Sequence, residues 1–180
     1  MPRPIVLMAG LLAFATPALA LDMPARKAGL WEIKTEFIGR NLPARSMRQC
    51  IDAATDKLMS SNFSGPGQDA CSKRDVQNTG GTITVDSVCK FGEATTTSHA
   101  VVSGDFNSAY TVEVTSTREG GRPLPGVAAG AATHMKMAAT WIGLCTAGQR
   151  PGDMIMSNGM TMNILDLQKG IPPRVMPQRP

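Results

Sequence analysis

The clearest pattern in this chain is an alternation of apolar and polar positions with a period of two residues. Between residues 30 and 38, the large apolar residues Trp31, Ile33 and Phe37 alternate with charged residues at positions 32, 34 and 36. A strand that buries one face and exposes the other has this period. The same alternation recurs around Val112 and Met137. The sequence therefore predicts a mainly β protein.

Turn signals divide the middle of the chain into two hairpins. Thr-Gly-Gly at 79–81 separates one pair of alternating segments, and Asp-Phe-Asn at 105–107 separates the next. Asp52 is a typical N-cap and predicts a short helix that begins at Ala53. About seven strands with one helix indicate a strongly curved antiparallel sheet or a small β-barrel, which would remove the exposed strand edges.

The C-terminal segment has a composition of its own. Asn158-Gly159 stands between Met-rich runs, and this dipeptide is the strongest short signal for a hairpin. The Pro-rich residues 171–180 are typical of an extended or loose end. We therefore divide the mature chain into a β domain over residues 21–145 and a Met/Pro-rich extension over residues 146–180.

The first 20 residues resemble an export signal. Arg3 precedes an apolar run over residues 5–15, and Ala18 and Ala20 have the small-residue spacing that signal peptidases cleave. The apolar run is about half the roughly 20 residues that a membrane span needs. We expect cleavage after Ala20, a periplasmic location and no membrane span in the mature protein.

Cysteines occur in an even number, Cys50, Cys71, Cys89 and Cys145, as expected for disulfides in an exported chain. Four cysteines allow three pairings. If the hairpin turns about Gly80, Cys71 and Cys89 face each other, which favours this pair and leaves Cys50 with Cys145. A zinc site is disfavoured because the chain has no Cys-x-x-Cys spacing.

Several segments together resemble a known family. "KAGLWEIKTEF" (residues 27–37), "MRQCID" (47–52), the Cys-flanked hairpin (71–90) and "HMKMAATWIGLC" (134–145) are similar to the secreted proteobacterial domain-of-unknown-function family 3617. The resemblance covers most of residues 28–145. It implies an exported β-rich domain with a Gly-Leu-Trp-Glu start, and brings no catalytic residues. Members of that family commonly end soon after the last cysteine, so the segment from Thr146 is an extension here.

Composition and motifs exclude several classes of function. The net charge is only +4, and the basic residues are scattered, which disfavours a nucleic-acid-binding protein. The chain has two histidines and lacks a Gly-x-Ser-x-Gly elbow, a phosphate loop or a His-Glu-x-x-His motif. We therefore expect a protein that is not an enzyme and needs no cofactor.

The leading hypothesis is a non-catalytic β domain that either binds a small apolar ligand or has a structural role, and a packed interior is favoured over a hollow one. A small barrel can enclose one such ligand, although the same side chains can equally fill its interior as a packed core. The predicted inward-facing residues for this cavity are Trp31, Ile33, Phe37, Ile83, Val85, Tyr110, Val112, Met135, Met137 and Trp141.

Two other hypotheses rest on the methionines. Three Met-x-Met pairs occur, at 135/137, 154/156 and 160/162, and thioethers on one strand face are ligands for Cu(I) as well as ordinary core residues. The candidate metal ligands are Met154, Met156, Met160 and Met162, with His99 or His134 as an additional ligand. Alternatively, the extension after Thr146 is a contact surface for a protein partner.

Overall fold

The computed structural model describes residues 23–63, 70–123, 125–172 and 174–175. The predicted export signal and its cleavage site after Ala20 lie outside the described residues. Within this part of the chain the protein is mainly β, as the alternation predicts. Its strands and helices, in chain order, are β1 (Gly29–Ile38), β2 (Arg45–Ile51), α1 (Ala53–Phe63), β3 (Cys71–Thr79), β4 (Thr82–Phe91), β5 (Ala94–Asp105), β6 (Ala109–Glu119), β7 (Thr133–Gly143), β8 (Asp153–Met156), β9 (Met160–Asn163), α2 (Ile164–Gln168) and β10 (Arg174–Val175).

All these strands belong to one antiparallel sheet of ten strands, in the order β10-β9-β8-β2-β1-β7-β6-β5-β4-β3. The sheet is open, with β3 and β10 as its two edges in the described chain. The prediction of a small β-barrel is therefore wrong. β8 of the C-terminal hairpin pairs with β2 and so occupies one of the two edges that would have to meet in a barrel.

The sheet separates an apolar face, which carries Trp31, Ile33 and Phe37, from a polar face with Glu32 and Lys34. Pairing across β1 and β7 sets Trp31 opposite Trp141. The core on the apolar face consists of two clusters of buried residues. One contains Trp31, Ile33, Ile51, Met59 and Ala139, and the other contains Ile83, Val102 and Val112.

Helix α1 begins where Asp52 predicts it. The Asp52 carboxylate accepts hydrogen bonds from the backbone N–H (2.8 Å) and the hydroxyl (2.7 Å) of Thr55, while the Asp52 N–H donates to Thr55 Oγ1 (3.0 Å). This reciprocal cap satisfies backbone groups that have no partner inside the helix. The helix then places Met59 in the core.

Both disulfides join the predicted partners, Cys50 with Cys145 and Cys71 with Cys89. The strand register that brings the second pair together differs from the predicted one. The hairpin turns on Gly80 and Gly81 together, and its regular ladder pairs Thr79 with Thr82. That register alone would set Cys71 opposite Lys90, and a bulge after Cys71 restores its pairing with Cys89.

The C-terminal hairpin forms as Asn158-Gly159 predicts. Gly159 adopts a positive φ of 80°, and its N–H donates to the carbonyl of Met156 (2.9 Å). The hairpin continues the sheet beside β2. Beyond it, Arg174–Val175 pairs with β9, within the segment expected to be loose, and residues 176–180 lie outside the described residues. No helix in the described ranges is long and apolar enough to cross a membrane.

Candidate functional site

The side chains predicted to line a ligand cavity share the apolar face, but they differ in burial. Trp31, Ile33 and Val112 are buried in the core, together with Ile83. The others are half-buried, namely Phe37, Val85, Tyr110, Met135, Met137 and Trp141. The first group therefore serves as packing, and only the second offers surface to a ligand.

A buried polar cluster that sequence analysis missed lies at the centre of this face. Arg26 Nε contacts Asp56 Oδ1 at 2.7 Å, and the Arg26 backbone N–H donates to Asp56 Oδ2 (2.8 Å). Arg26 Nη1 donates to Gln49 Oε1 (2.8 Å) and lies 3.4 Å from the Tyr110 hydroxyl. The side chains of Arg26 and Asp56 are only 8% and 2% exposed. The cluster thus ties the segment before β1 to helix α1, a contact with no local signal in the sequence.

Tyr110 links this cluster to the core. Its ring lies 5.6 Å from Trp31 and stacks on Phe106 at 4.8 Å, measured between ring centroids. Burial raises the pKa of the Tyr110 phenol, and this outweighs the lowering effect of the Arg26 charge. Tyr110 is therefore a neutral hydrogen-bonding group at physiological pH.

Farther from the cluster, a row of apolar side chains crosses six neighbouring strands of the same face. Each member faces the next across a strand pair, and each is half-buried. We call it the apolar row. With strands about 4.8 Å apart, it extends over roughly 24 Å. Its members are Phe37, Met135, Val114, Ala100, Val85 and Val76.

The next row on the same face carries hydroxyl groups in place of apolar side chains. Ser98 pairs with Ser116, and Ser116 pairs with Thr133. Ser116 Oγ and Thr133 Oγ1 are 2.9 Å apart. Because same-face neighbours along a strand are about 7 Å apart, these hydroxyls lie directly beside Val114 and Met135 of the apolar row.

A cavity of about 490 Å³ begins at the hydroxyl row. Thr96, Ser116, Arg118 and Thr133 line it from the sheet, and residues 120–123 and 127–131 line it from the loop after β6. The volume is within the range of roughly 300–1,000 Å³ typical of small-molecule sites. Sequence analysis missed Arg118, although the alternation Val112, Val114, Ser116, Arg118 places it on this face.

The methionines of the extension also lie on the apolar face. Met154 faces Met162 across β8 and β9, and Met156 faces Met47 across β8 and β2. Met160 follows at the turn, two residues before Met162. All five are half-buried. Three strands thus bring together the four predicted thioethers and a fifth, Met47, which the sequence did not single out. We call these five residues the methionine group.

Neither histidine can join the methionine group. His99 and His134 lie on the polar face, where His99 Nδ1 contacts Asp86 Oδ1 (2.8 Å) and His134 Nδ1 contacts Thr115 Oγ1 (3.1 Å). Their proposed role as additional copper ligands is therefore wrong. Among the described residues, no three His, Cys, Asp or Glu side chains are grouped to hold a metal ion.

Comparison with known proteins gives one family. No curated protein and no solved structure matches the chain. The match to the family of proteins of unknown function DUF3617 covers residues 26–145, from the arginine of the buried cluster to the last cysteine, and β8, β9 and α2 follow it. Since this match covers most of the chain, the protein belongs to the DUF3617 family, as the Gly-Leu-Trp-Glu start and the four cysteines indicate.

Proposed function

We propose that this protein is a non-catalytic binding protein of the periplasm, which holds a small apolar ligand on the apolar face of its sheet. The apolar row carries the proposal. Six consecutive strands contribute apolar side chains that remain half-buried, whereas Trp31, Ile33 and Val112 are buried in the core. Apolar surface that a fold leaves open in one continuous stretch is typical of ligand-binding grooves.

The compartment is supported by the two disulfides, which form and persist in oxidising environments, and by the export signal in the sequence. The cluster around Arg26 is a structural contact in this proposal, because its carboxylate is ion-paired with Arg26 and its phenol is neutral.

Binding of the neutral fluorescent probe Nile red to the oxidised mature protein tests this function. We expect the probe to bind, and Val114→Asp in the middle of the apolar row to weaken binding at least ten-fold, since it puts a charge against the ligand. Val114→Thr keeps the shape of the side chain and should weaken binding less.

The neighbouring Thr115→Asp is the matched control, because Thr115 is exposed on the polar face of the same strand. Circular dichroism of each variant verifies that the sheet has formed. Failure of the folded wild-type protein to bind the probe, or equal loss of binding in the Val114 and Thr115 variants, would contradict the proposed function.

Cu(I) binding is a second candidate function, favoured by the methionine group. Thioethers are soft ligands that select Cu(I), and facing side chains on adjacent strands have Cβ atoms about 5 Å apart. Met156, Met160 and Met162 are not among the side chains that pack against the two core clusters.

Competition with a chromophoric Cu(I) chelator tests this candidate under anaerobic conditions. We expect the protein to take Cu(I) from the chelator, and replacement of Met154, Met156, Met160 and Met162 by Leu to abolish uptake. Met135→Leu with Met137→Leu, on β7, is the matched control. Uptake that survives the fourfold change excludes the hairpin as the copper site. Contact of the extension with a protein partner stays a third hypothesis.

A further inference from the structure

We infer that the ligand of the apolar face is an anionic amphiphile, whose head group binds at Arg118 and whose chain extends past Ser116 to the apolar row at Val114. This inference rests on the proposed function and adds a chemical class to it. It commits the ligand to two parts, an apolar chain and a carboxylate or phosphate group.

Arg118 is the first observation behind the head-group site. Its Nε atom is buried and has no hydrogen-bond partner among the described residues. Buried donors of folded proteins nearly always have a partner, so an unpaired one marks a position where an acceptor is to be expected. Arg118 is also one of the residues that line the cavity, so its guanidinium lies at the wall of a space large enough for a ligand.

The loop after β6 passes close to the Arg118 guanidinium. Gly121 adopts a φ of 66°, and a Cβ atom at this position would be 2.9 Å from Ala94 Cβ and 3.1 Å from Arg118 Nη2. Glycine thus allows the backbone to pass close over the guanidinium. Two arginines, Arg118 and Arg122, line the cavity together with one glutamate, Glu119, so its charge favours an anion.

The order of side chains along the strands is the second observation. On β6 the apolar face carries Val112, Val114, Ser116 and Arg118 in succession, and β7 adds Met135 and Thr133 beside them. The face therefore changes from apolar to hydroxyl-bearing to cationic over about four residues of strand. A molecule that follows this order has an apolar chain and an anionic head, and guanidinium groups bind carboxylates and phosphates through paired hydrogen bonds.

Three ligands with the same twelve-carbon chain test the inference by isothermal titration calorimetry below their micellar concentrations. Laurate and dodecyl phosphate carry the anionic head groups, and dodecanol carries a neutral one. We expect the wild-type protein to bind at least one anionic ligand roughly ten-fold more tightly than dodecanol, the contribution of one charge-assisted hydrogen bond. Whether laurate or dodecyl phosphate binds more tightly identifies the head group.

Arg118→Gln should remove this preference and leave dodecanol binding unchanged. The matched control is Arg48→Gln, which makes the same charge change at an exposed arginine of the polar face. Arg118→Lys keeps the charge but lacks Nε, and a reduced preference in this variant is the expected result if the glutamine variant does not fold. A preference that persists in Arg118→Gln, or in Arg118→Lys when that is the variant that folds, overturns the inference.

The two proposals fail in different ways. If dodecanol and both anionic ligands bind equally well to the wild-type protein, the head-group site is wrong and the apolar site stands. If none of the three binds, the apolar site fails, and the inference fails with it. Binding of laurate or dodecyl phosphate that is unaffected by Val114→Asp but lost in Arg118→Gln also overturns the inference, because the chain would then lie elsewhere.

Discussion

Individual residues of this protein stabilise it in two different ways, by local capping and by long-range pairing. The Asp52 cap is local and visible in the sequence, since it connects residues three positions apart. The contact between Arg26 and Asp56 joins residues 30 positions apart and has no sequence signal. The two therefore have different consequences when they are changed.

Replacing Asp52 by Ala should lower the free energy of unfolding by about 1 kcal/mol, because helix α1 loses its N-cap. Two hydrogen bonds from Thr55 lower the pKa of the Asp52 carboxyl in the folded protein. The bond from its backbone N–H has the larger effect, and the bond from its side chain the smaller. A carboxyl whose pKa is lowered by folding stabilises the folded protein at pH values above its unfolded pKa of about 3.9. This stabilisation is lost as the pH falls through the pKa of the folded protein.

Asp52→Asn is the matched variant, since asparagine caps equally well without a charge. Urea unfolding between pH 7 and pH 2 should show a stability difference between wild type and Asp52→Asn that disappears at the acid end. A difference that does not change with pH would show that the Asp52 charge has no part in the cap.

Replacing Asp56 by Ala should lower the free energy of unfolding by about 3–5 kcal/mol, because the Arg26 guanidinium would stay buried without the Asp56 carboxylate as its partner. The double variant Arg26→Met, Asp56→Leu removes both charges and should lose less stability than the single variant. Chemical denaturation measures both values. A double variant that is as unstable as Asp56→Ala would mean that packing around Asp56, and not the unpaired charge, causes the loss.

Among the elements, the C-terminal hairpin has the largest effect on the architecture. It extends the sheet from β2, and the N–H of Gly152 donates to the carbonyl of Cys50 (2.8 Å). Met154 and Ile164 pack against the core cluster that contains Trp31. The segment after Cys145 is thus part of the same sheet and core as residues 29–143.

Deleting residues 146–180 should lower the melting temperature and increase aggregation, because β2 becomes an exposed edge and part of the core is opened. Differential scanning calorimetry and light scattering measure these effects. The control is the fourfold Met→Leu variant of the hairpin, which keeps the strands and should keep its melting temperature. An unchanged melting temperature in the deleted protein would show that the hairpin does not stabilise the sheet.

At the scale of the whole molecule, the disulfides close loops of very different length. Cys50 and Cys145 are 95 residues apart and join β2 to the segment just after β7, while Cys71 and Cys89 are 18 residues apart within one hairpin. Restriction of the unfolded chain is therefore greater for the longer loop.

In the chain-entropy model, replacing Cys50 and Cys145 by Ala should lower the free energy of unfolding by about 4.7 kcal/mol. The same change at Cys71 and Cys89 should lower it by about 3.2 kcal/mol. Cys50 is also fully buried, which adds a packing loss to the first variant. Urea unfolding of the two double variants compares them. A larger decrease in the free energy of unfolding for the Cys71–Cys89 variant would mean that the hairpin of β3 and β4 limits the stability of the sheet.

Much of the apolar face could be predicted because side-chain direction in a strand alternates strictly. Trp31, Phe37 and Met137 were assigned to one face from that period alone. Arg118 follows the same alternation, but the sequence analysis considered only apolar and aromatic side chains for this face. Its cavity could not be predicted, because the Gly- and Ala-rich loop that forms its rim has no periodic pattern.

Neighbouring residues and short motifs predict the strands, the turns, the helix cap, the disulfide partners and the family. Which strand edges pair is visible only in the folded molecule. Local patterns do not encode whether β2 meets a closing strand or the hairpin at 153–163, since any edge strand offers the same unpaired backbone groups. With β8 paired to β2, the sheet is open, and the apolar row that we propose as the binding surface crosses six of its strands.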